Sequence, residues 1–211
     1  CLTLFTIGLW FRAAAITLLV LSIYYWQLQL HMFPTSYNRL LLMTLVILTC
    51  SGADRTLSLR SYLRHGSWRA WEPICILPQR LIAVQVTITY LGVGLQKFVL
   101  PAWQSGEILS YSFVKMWATP LAFKTAQLNW PLWVYDWLVW IIKQLEVLLP
   151  LGLWHRPSQV WWMGLGALFH VSITLFLGIW WFLFMPVLYV LFVCPDMVQQ
   201  WCGGKKYNTD S

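Results

Sequence analysis

Long apolar segments separated by short polar stretches dominate the chain. A helix needs about 20 mostly apolar residues to cross the hydrocarbon core of a bilayer. The candidate spans are residues 4–26, 39–52, 80–100, 132–154 and 160–193. The last run is too long for one untilted span, so we predict that it divides near Leu177–Gly178. The pattern therefore predicts an all-α, polytopic transmembrane helix bundle of about six spans, or five if the last run is one tilted helix.

The composition supports this fold class and excludes an ordinary soluble domain. Apolar residues make up 59% of the 211-residue chain and charged residues 10%, against about 25% charged residues in soluble domains. The net charge of +7 comes from basic residues between the apolar segments, which is typical of contact with lipid headgroups. We expect membrane lipids and integral-membrane proteins as partners, and no nucleic acid. The five cysteines have no metal-type spacing, so no metal site is predicted.

Polar connections predict how the chain is divided and oriented. Residues 1–196 are predicted as one membrane domain and residues 197–211 as a polar tail. Because the sequence starts at Cys1, we expect the domain to be N-terminally incomplete. The 53–79 loop holds four arginines and the tail two lysines, so the positive-inside rule places both on the cytoplasmic side. Residues 101–131 then lie outside, and their loose alternation of apolar and polar residues predicts an interfacial helical segment.

Ionisable residues within segment 132–154 form one candidate site. A charge at bilayer depth costs on the order of 2.5–3.5 kcal/mol, so each one needs a physical reason. Asp136 and Lys143 lie two helical turns apart on one face, and Glu146 follows Lys143 at a spacing that allows direct pairing. We predict a buried polar cluster. It is either an internal ion pair facing the bundle or the polar wall of a pocket.

A second candidate site lies at the end of segment 80–100. Thr87, Tyr90, Gly94 and Lys97 recur at helical spacing and form one small, polar stripe. A glycine in this stripe lets a second backbone or a flat ligand approach closely. Lys97 is either a snorkelling lysine that reaches the headgroups or, among apolar walls, a base.

His170 lies in the middle of the last apolar run. A lone histidine in such a helix is more often a hydrogen-bonded packing residue than a catalytic or ligand-binding group. Both interpretations remain open from the residues alone.

Four segments occur in an order that resembles a known membrane family. They are GADRTLSL (52–59), GLQKFVLPAWQSG (94–106), EVLLPL (146–151) and LFHVSITLFLGIWWFLFMPVLYV (168–190). This order is similar to that of the horizontally transferred transmembrane (HTTM) domain, the membrane part of vitamin K-dependent gamma-glutamyl carboxylase and its bacterial relatives. The resemblance covers residues 36–196, and its strongest segment is Gly-x-x-Lys followed by a tryptophan and a glycine.

The resemblance implies roles for several residues. In the carboxylases the lysine of this segment deprotonates reduced vitamin K, and oxygenation then yields the base that removes the gamma proton of a glutamate before CO2 adds. Lys97 matches that lysine and His170 matches a histidine of the penultimate helical region, so both are candidate catalytic residues. Tyr90, Gly94 and Trp103 are the candidates for binding the cofactor, a naphthoquinone or quinol.

Two departures from the family pattern leave two functions to be weighed. Arg60 stands where the family has an acid, and Tyr37 stands about where carboxylases have a histidine. Our first hypothesis is a non-catalytic or degenerate relative that serves as an accessory subunit of a membrane assembly. The alternative is a quinol-linked, carboxylase- or epoxidase-like enzyme with Lys97 as base. A second polar group within reach of Lys97, and an open pocket beside Trp103, would favour the enzyme.

Overall fold

The computed structural model describes residues 1–29, 36–56, 58–68 and 74–194. These residues form helices and no strands, which confirms the predicted all-α fold class. Among them, four helical stretches are long and apolar enough to cross a membrane: Phe11–Leu28, Leu77–Val99, Leu132–Trp154 and Arg156–Leu177. Two further apolar helices, Ser36–Thr49 and Trp180–Phe192, are shorter. The predicted tail, 197–211, and Arg69 of the arginine-rich loop lie outside the described residues.

The chain divides into two compact units, and the boundary falls within one long helix. The first unit is Cys1–Thr89. It contains α1 (Leu2–Ile7), α2 (Phe11–Gln29), α3 (Ser36–Thr49), α4 (Leu59–His65) and the first part of α5 (Leu77–Val99). In this unit α2 packs along α3 and α1 packs against α2. Ser58 precedes α4, and its hydroxyl accepts the N–H of Ser61 and so caps the helix.

The second unit is Tyr90–Ser211, described as far as residue 194. It contains the end of α5, then α6 (Glu107–Ser112), α7 (Pro120–Ala126), α8 (Leu132–Trp154), α9 (Gln159–Leu177) and the 3₁₀ helices Pro101–Trp103, Arg156–Ser158 and Trp180–Phe192. Helix α9 packs against α8 and against the last 3₁₀ helix, α6 packs on α8, and α7 packs on α9.

The last apolar run divides at the predicted position. Helix α9 ends at Leu177, and Gly178 follows with φ +65°. This left-handed conformation is accessible to glycine at little cost, and it turns the chain out of the helix. The N–H of Gly178 donates to the carbonyl of Thr174 at 2.9 Å. The chain then continues as the 3₁₀ helix Trp180–Phe192, so the predicted division is confirmed.

The segment 101–131 is helical in short pieces, and one threonine anchors it to α9. The Thr119 side chain accepts the N–H of Ala122 at the start of α7 and donates to the carbonyl of Leu175. Its N–H donates to the carbonyl of Phe176. Thr119 therefore caps one helix and satisfies carbonyls at the end of another. The placement of this segment at a membrane interface stays a prediction.

Apolar side chains cover much of the outside of α8 and α9. Within an apolar stretch of 18 residues, 39% of the residues are buried in Leu132–Trp154 but only 11% in Arg156–Leu177. Trp161 of α9 is 83% exposed. An exposed apolar surface of this kind is compatible with a membrane protein. Helix α8 is therefore the more buried of the two helices. It carries Asp136, Lys143 and Glu146.

Candidate functional site

A buried ion pair joins the end of α5 to the middle of α8. Lys97, in the last turn of α5, places Nζ 2.5 Å from each carboxylate oxygen of Glu146. The Lys97 side chain is 12% exposed and the Glu146 side chain is 9% exposed. The two residues are 49 positions apart in the sequence. Lys97 therefore has a second polar group within reach, and the two charges compensate each other away from water.

Gly94 lets the two helices approach closely enough for this contact. A Cβ atom at Gly94 would lie 3.0 Å from Val147 Cγ2 and 3.1 Å from Glu146 Cβ. The predicted close approach at Gly94 is thus made by α8, not by a flat ligand. Gly92, two residues earlier, faces open space, because a Cβ atom there would meet no atom of the described residues within 4 Å.

Trp103 also contacts the lysine. The Lys97 ammonium lies 4.3 Å from the centre of the Trp103 ring, a cation–π contact worth about 0.5–2 kcal/mol. The 3₁₀ helix Pro101–Trp103 positions the ring. The Gln104 side chain fixes this turn by donating to the carbonyls of Phe98 and Leu100 at 2.8 and 3.0 Å. The sequence PAWQ thus ends α5 and brings the indole over Lys97.

The predicted cluster of Asp136, Lys143 and Glu146 does not form. Glu146 pairs with Lys97 instead of Lys143, because the gap at Gly94 admits its side chain. Asp136 is exposed and accepts the N–H of Gly106 at 2.5 Å, which ties the start of α6 to α8. Glu146 therefore lies apart from Lys143, and the pairing that their spacing allows does not form, whereas Asp136 and Lys143 line one groove.

Lys143 contributes to a groove on the face of α8 that carries tryptophans. The groove has a volume of about 590 Å³, and its lining combines three tryptophans with polar groups: Gln104, Ser105, Trp133, Asp136, Trp137, Val139, Trp140 and Lys143. Lys143 is 7% exposed, and its ammonium lies 5.5 Å from the centre of the Phe98 ring. Within the described ranges Lys143 has no hydrogen bond or ion pair.

His170 belongs to a second network in the same unit, made of an imidazole and two tyrosine hydroxyls. Its Nε2 is hydrogen-bonded to the Tyr90 hydroxyl, which also contacts the Tyr189 hydroxyl at 2.8 Å. The His170 ring stacks on Phe182 with 5.6 Å between centroids. His170 and Tyr189 are each 1% exposed and Tyr90 is 6% exposed. His170 Nδ1 is buried without a hydrogen-bond partner among the described residues.

The predicted catalytic residues therefore lie in two neighbouring clusters. Tyr90 and Lys97 are seven residues apart on α5, a rise of about 10 Å along the helix. Sequence reasoning found Lys97, Trp103, Tyr90 and His170 but missed Tyr189. The only signal for Tyr189 was that it carries the single hydroxyl of the apolar segment Trp180–Phe192, and this signal is weak because tyrosine is common in membrane helices.

No family model, curated protein or solved structure matches this chain. In the part of the chain that the structure describes, no group of three or more His, Cys, Asp or Glu side chains could hold a metal ion. The geometry of these residues is therefore the basis for any functional assignment.

Proposed function

We propose that the chain is an HTTM-like membrane protein that binds a quinol and takes a proton from it at the Lys97–Glu146 pair. The observation that carries this proposal is the pair itself, two ionisable side chains held in contact between helices long and apolar enough to cross a membrane, with an indole against the lysine. Ionisable groups inside a bilayer mark functional sites often enough to make function the first hypothesis. The resemblance to the HTTM domain assigns a role to Lys97. The proposal adds Glu146, which the structure pairs with Lys97.

The groove on α8 has a lining that suits a flat, amphipathic ligand. Trp133, Trp137 and Trp140 offer aromatic faces, and Gln104, Ser105 and Lys143 offer polar groups that could orient a ring oxygen. Gln104 follows Trp103 directly, and Lys143 lies one helical turn before Glu146. A reduced naphthoquinone fits this combination and, when bound, supplies a hydroxyl proton and reducing equivalents for oxygen.

The ion pair can accept this proton without creating a net negative charge. Glu146 takes the proton at a carboxylate oxygen, where an O–H bond forms as the ligand's O–H bond breaks. The Lys97 ammonium then faces the oxygen that has lost the proton and stabilises its negative charge. The base is therefore the pair, with Glu146 as acceptor, whereas the resemblance assigns this role to the lysine alone.

Consumption of a reduced naphthoquinone under oxygen tests the proposal. The purified protein is expected to consume it, and Lys97→Ala and Glu146→Gln are each expected to abolish consumption. Lys124→Ala is the matched control, because Lys124 is an exposed lysine at the end of α7. Quenching of tryptophan fluorescence by the same compound measures binding separately. Unchanged turnover in Lys97→Ala would contradict the proposal.

An accessory subunit of a membrane assembly is the second candidate. It is favoured by the exposed aromatic residues of α8 and α9, with Trp133 62% and Trp161 83% exposed, since aromatic residues are enriched in protein interfaces. In this case Lys97 and Glu146 form a structural tie between helices. Absence of both turnover and quinol binding in folded wild-type protein would favour this function.

We further propose that the 53–79 loop faces the cytoplasm and residues 101–131 face the opposite side. The basis is the excess of arginine in the first segment. In a variant that keeps only Cys75 as cysteine, an impermeant maleimide is expected to label inverted vesicles and not right-side-out vesicles. A cysteine-free background carrying Lys115→Cys should show the reverse. Labelling of both variants from one side would overturn this orientation.

A further inference from the structure

Arginines surround two adjoining grooves in the first unit. The first groove, of about 360 Å³, is lined by polar residues: Asp54, Arg55, Arg60, Ser61 and Arg64. The second, of about 470 Å³, shares Asp54, Arg60 and Arg64 with it. The second groove adds one more arginine and an apolar wall: Leu9, Trp10, Phe11, Arg12 and Leu63. The two grooves therefore form one continuous surface, polar at one end and apolar at the other.

The charge of this surface is strongly positive. Among the described residues its lining holds four arginines, Arg12, Arg55, Arg60 and Arg64, and one carboxylate, Asp54. Asp54 is 3% exposed and is paired with Arg60. Arg12 and Arg55 are exposed and lie outside that ion pair. The described lining therefore has a positive excess that favours an anionic ligand.

Local structure holds the arginines in place. Ser58 caps α4 and also donates to the carbonyl of Asp54 at 2.5 Å. Arg60 and Arg64 lie four residues apart on α4, so both side chains leave the same face of the helix. The positions of Asp54, Arg60 and Arg64 are therefore set by helix α4 and its cap.

The apolar end of the surface is unusually exposed. Trp10 is 75% exposed and Leu63 is 68% exposed. Both side chains lie beside the arginines, and Phe11 begins the membrane-spanning stretch of α2. Exposed tryptophan and leucine next to arginine, at the start of a span, match the boundary between headgroups and acyl chains.

We propose that this surface binds the phosphate headgroup of an anionic glycerophospholipid, with the lipid's apolar part along Trp10 and Leu63. Arginine suits this ligand because its planar guanidinium makes paired hydrogen bonds to phosphate oxygens. A soluble phosphate would use only the polar groove and would leave the apolar wall without a role. This site is separate from the proposed quinol site and does not rest on it.

Retention of phosphatidylglycerol by the purified full chain tests the proposal. The protein is reconstituted with equal amounts of phosphatidylcholine and phosphatidylglycerol, and native mass spectrometry measures the affinity for each lipid in neutral detergent. Arg12→Gln/Arg55→Gln leaves the Asp54–Arg60 pair intact. It is expected to lower phosphatidylglycerol affinity about thirtyfold, since each arginine near anionic lipid contributes about fivefold. Phosphatidylcholine affinity should change little.

A control with the same change in net charge separates this site from general electrostatics. Arg39 and Lys124 are exposed and lie outside the groove lining, so Arg39→Gln/Lys124→Gln should keep wild-type affinity. Equal weakening in both double variants would overturn the proposal, as would displacement of the lipid by inorganic phosphate alone. If Arg12→Gln/Arg55→Gln fails to fold, Arg55→Gln alone should weaken binding about fivefold, and no weakening would contradict the site.

Discussion

Replacing Glu146 by glutamine is expected to lower the free energy of unfolding by about 3–5 kcal/mol, the cost of leaving one charge of a buried pair without its partner. The Lys97 ammonium contacts both carboxylate oxygens at 2.5 Å, and both side chains are nearly buried. Glutamine keeps the size of the side chain, so the loss reports the charge and not a cavity. Titration of the micellar protein with denaturing detergent, followed by tryptophan fluorescence, measures the change.

A double variant distinguishes the ion pair from its individual charges. Lys97→Met/Glu146→Leu removes both charges and is expected to recover most of the lost stability, because no buried charge is then unpaired. Lys124→Ala, at an exposed site, should stay within about 0.5 kcal/mol of wild type. Wild-type stability in Glu146→Gln would show that the carboxylate does not pair with Lys97.

The double variant also distinguishes a structural role of the Lys97–Glu146 pair from a role in proton transfer. If the pair is only a tie between helices, Lys97→Met/Glu146→Leu should behave like wild type in every assay. If the pair takes a proton from a quinol, the same variant should be stable and should consume no quinol. The loss of turnover in a stable protein would therefore support the proposed function independently of folding.

The helices were predictable because their signal is local. The apolar segment 132–154 predicted the bounds of α8, Leu132–Trp154. The break after Leu177 predicted the end of α9. The short helices between residues 101 and 131 followed from a weaker pattern, and their anchor at Thr119 depends on carbonyls of α9, more than 50 residues away in sequence. Spacing along one segment carries no information on such a contact.

The site was only half predictable for the same reason. Lys97 and Glu146 were each marked by the rarity of charge in apolar segments, but the spacing rule within a helix paired Glu146 with Lys143. The structure pairs it with Lys97, because the face of α8 that carries Glu146 packs where Gly94 has no side chain. Which faces of two helices meet is decided by tertiary packing, and sequence spacing in either helix does not report it.

Gly166→Ala is expected to destabilise the protein by about 1–3 kcal/mol, the typical cost of overfilling a packed core. A Cβ atom there would lie 2.6 Å from the Tyr189 hydroxyl oxygen and 2.9 Å from Leu149 Cδ1. Tyr189 would have to move, and its 2.8 Å contact with the Tyr90 hydroxyl would be lost. The same detergent titration of unfolding measures the change.

Gly164→Ala is the matched control, since it is the same substitution two residues earlier in α9. Among the described residues nothing lies within 4 Å of a Cβ atom at Gly164, so the higher helix propensity of alanine should leave stability unchanged or raise it by up to about 1 kcal/mol. Tyr189→Phe in the Gly166→Ala background removes the atom of closest approach and should recover part of the loss. Equal effects of the two glycine substitutions would mean that Tyr189 does not pack against Gly166, and the network of His170, Tyr90 and Tyr189 would then need a different arrangement.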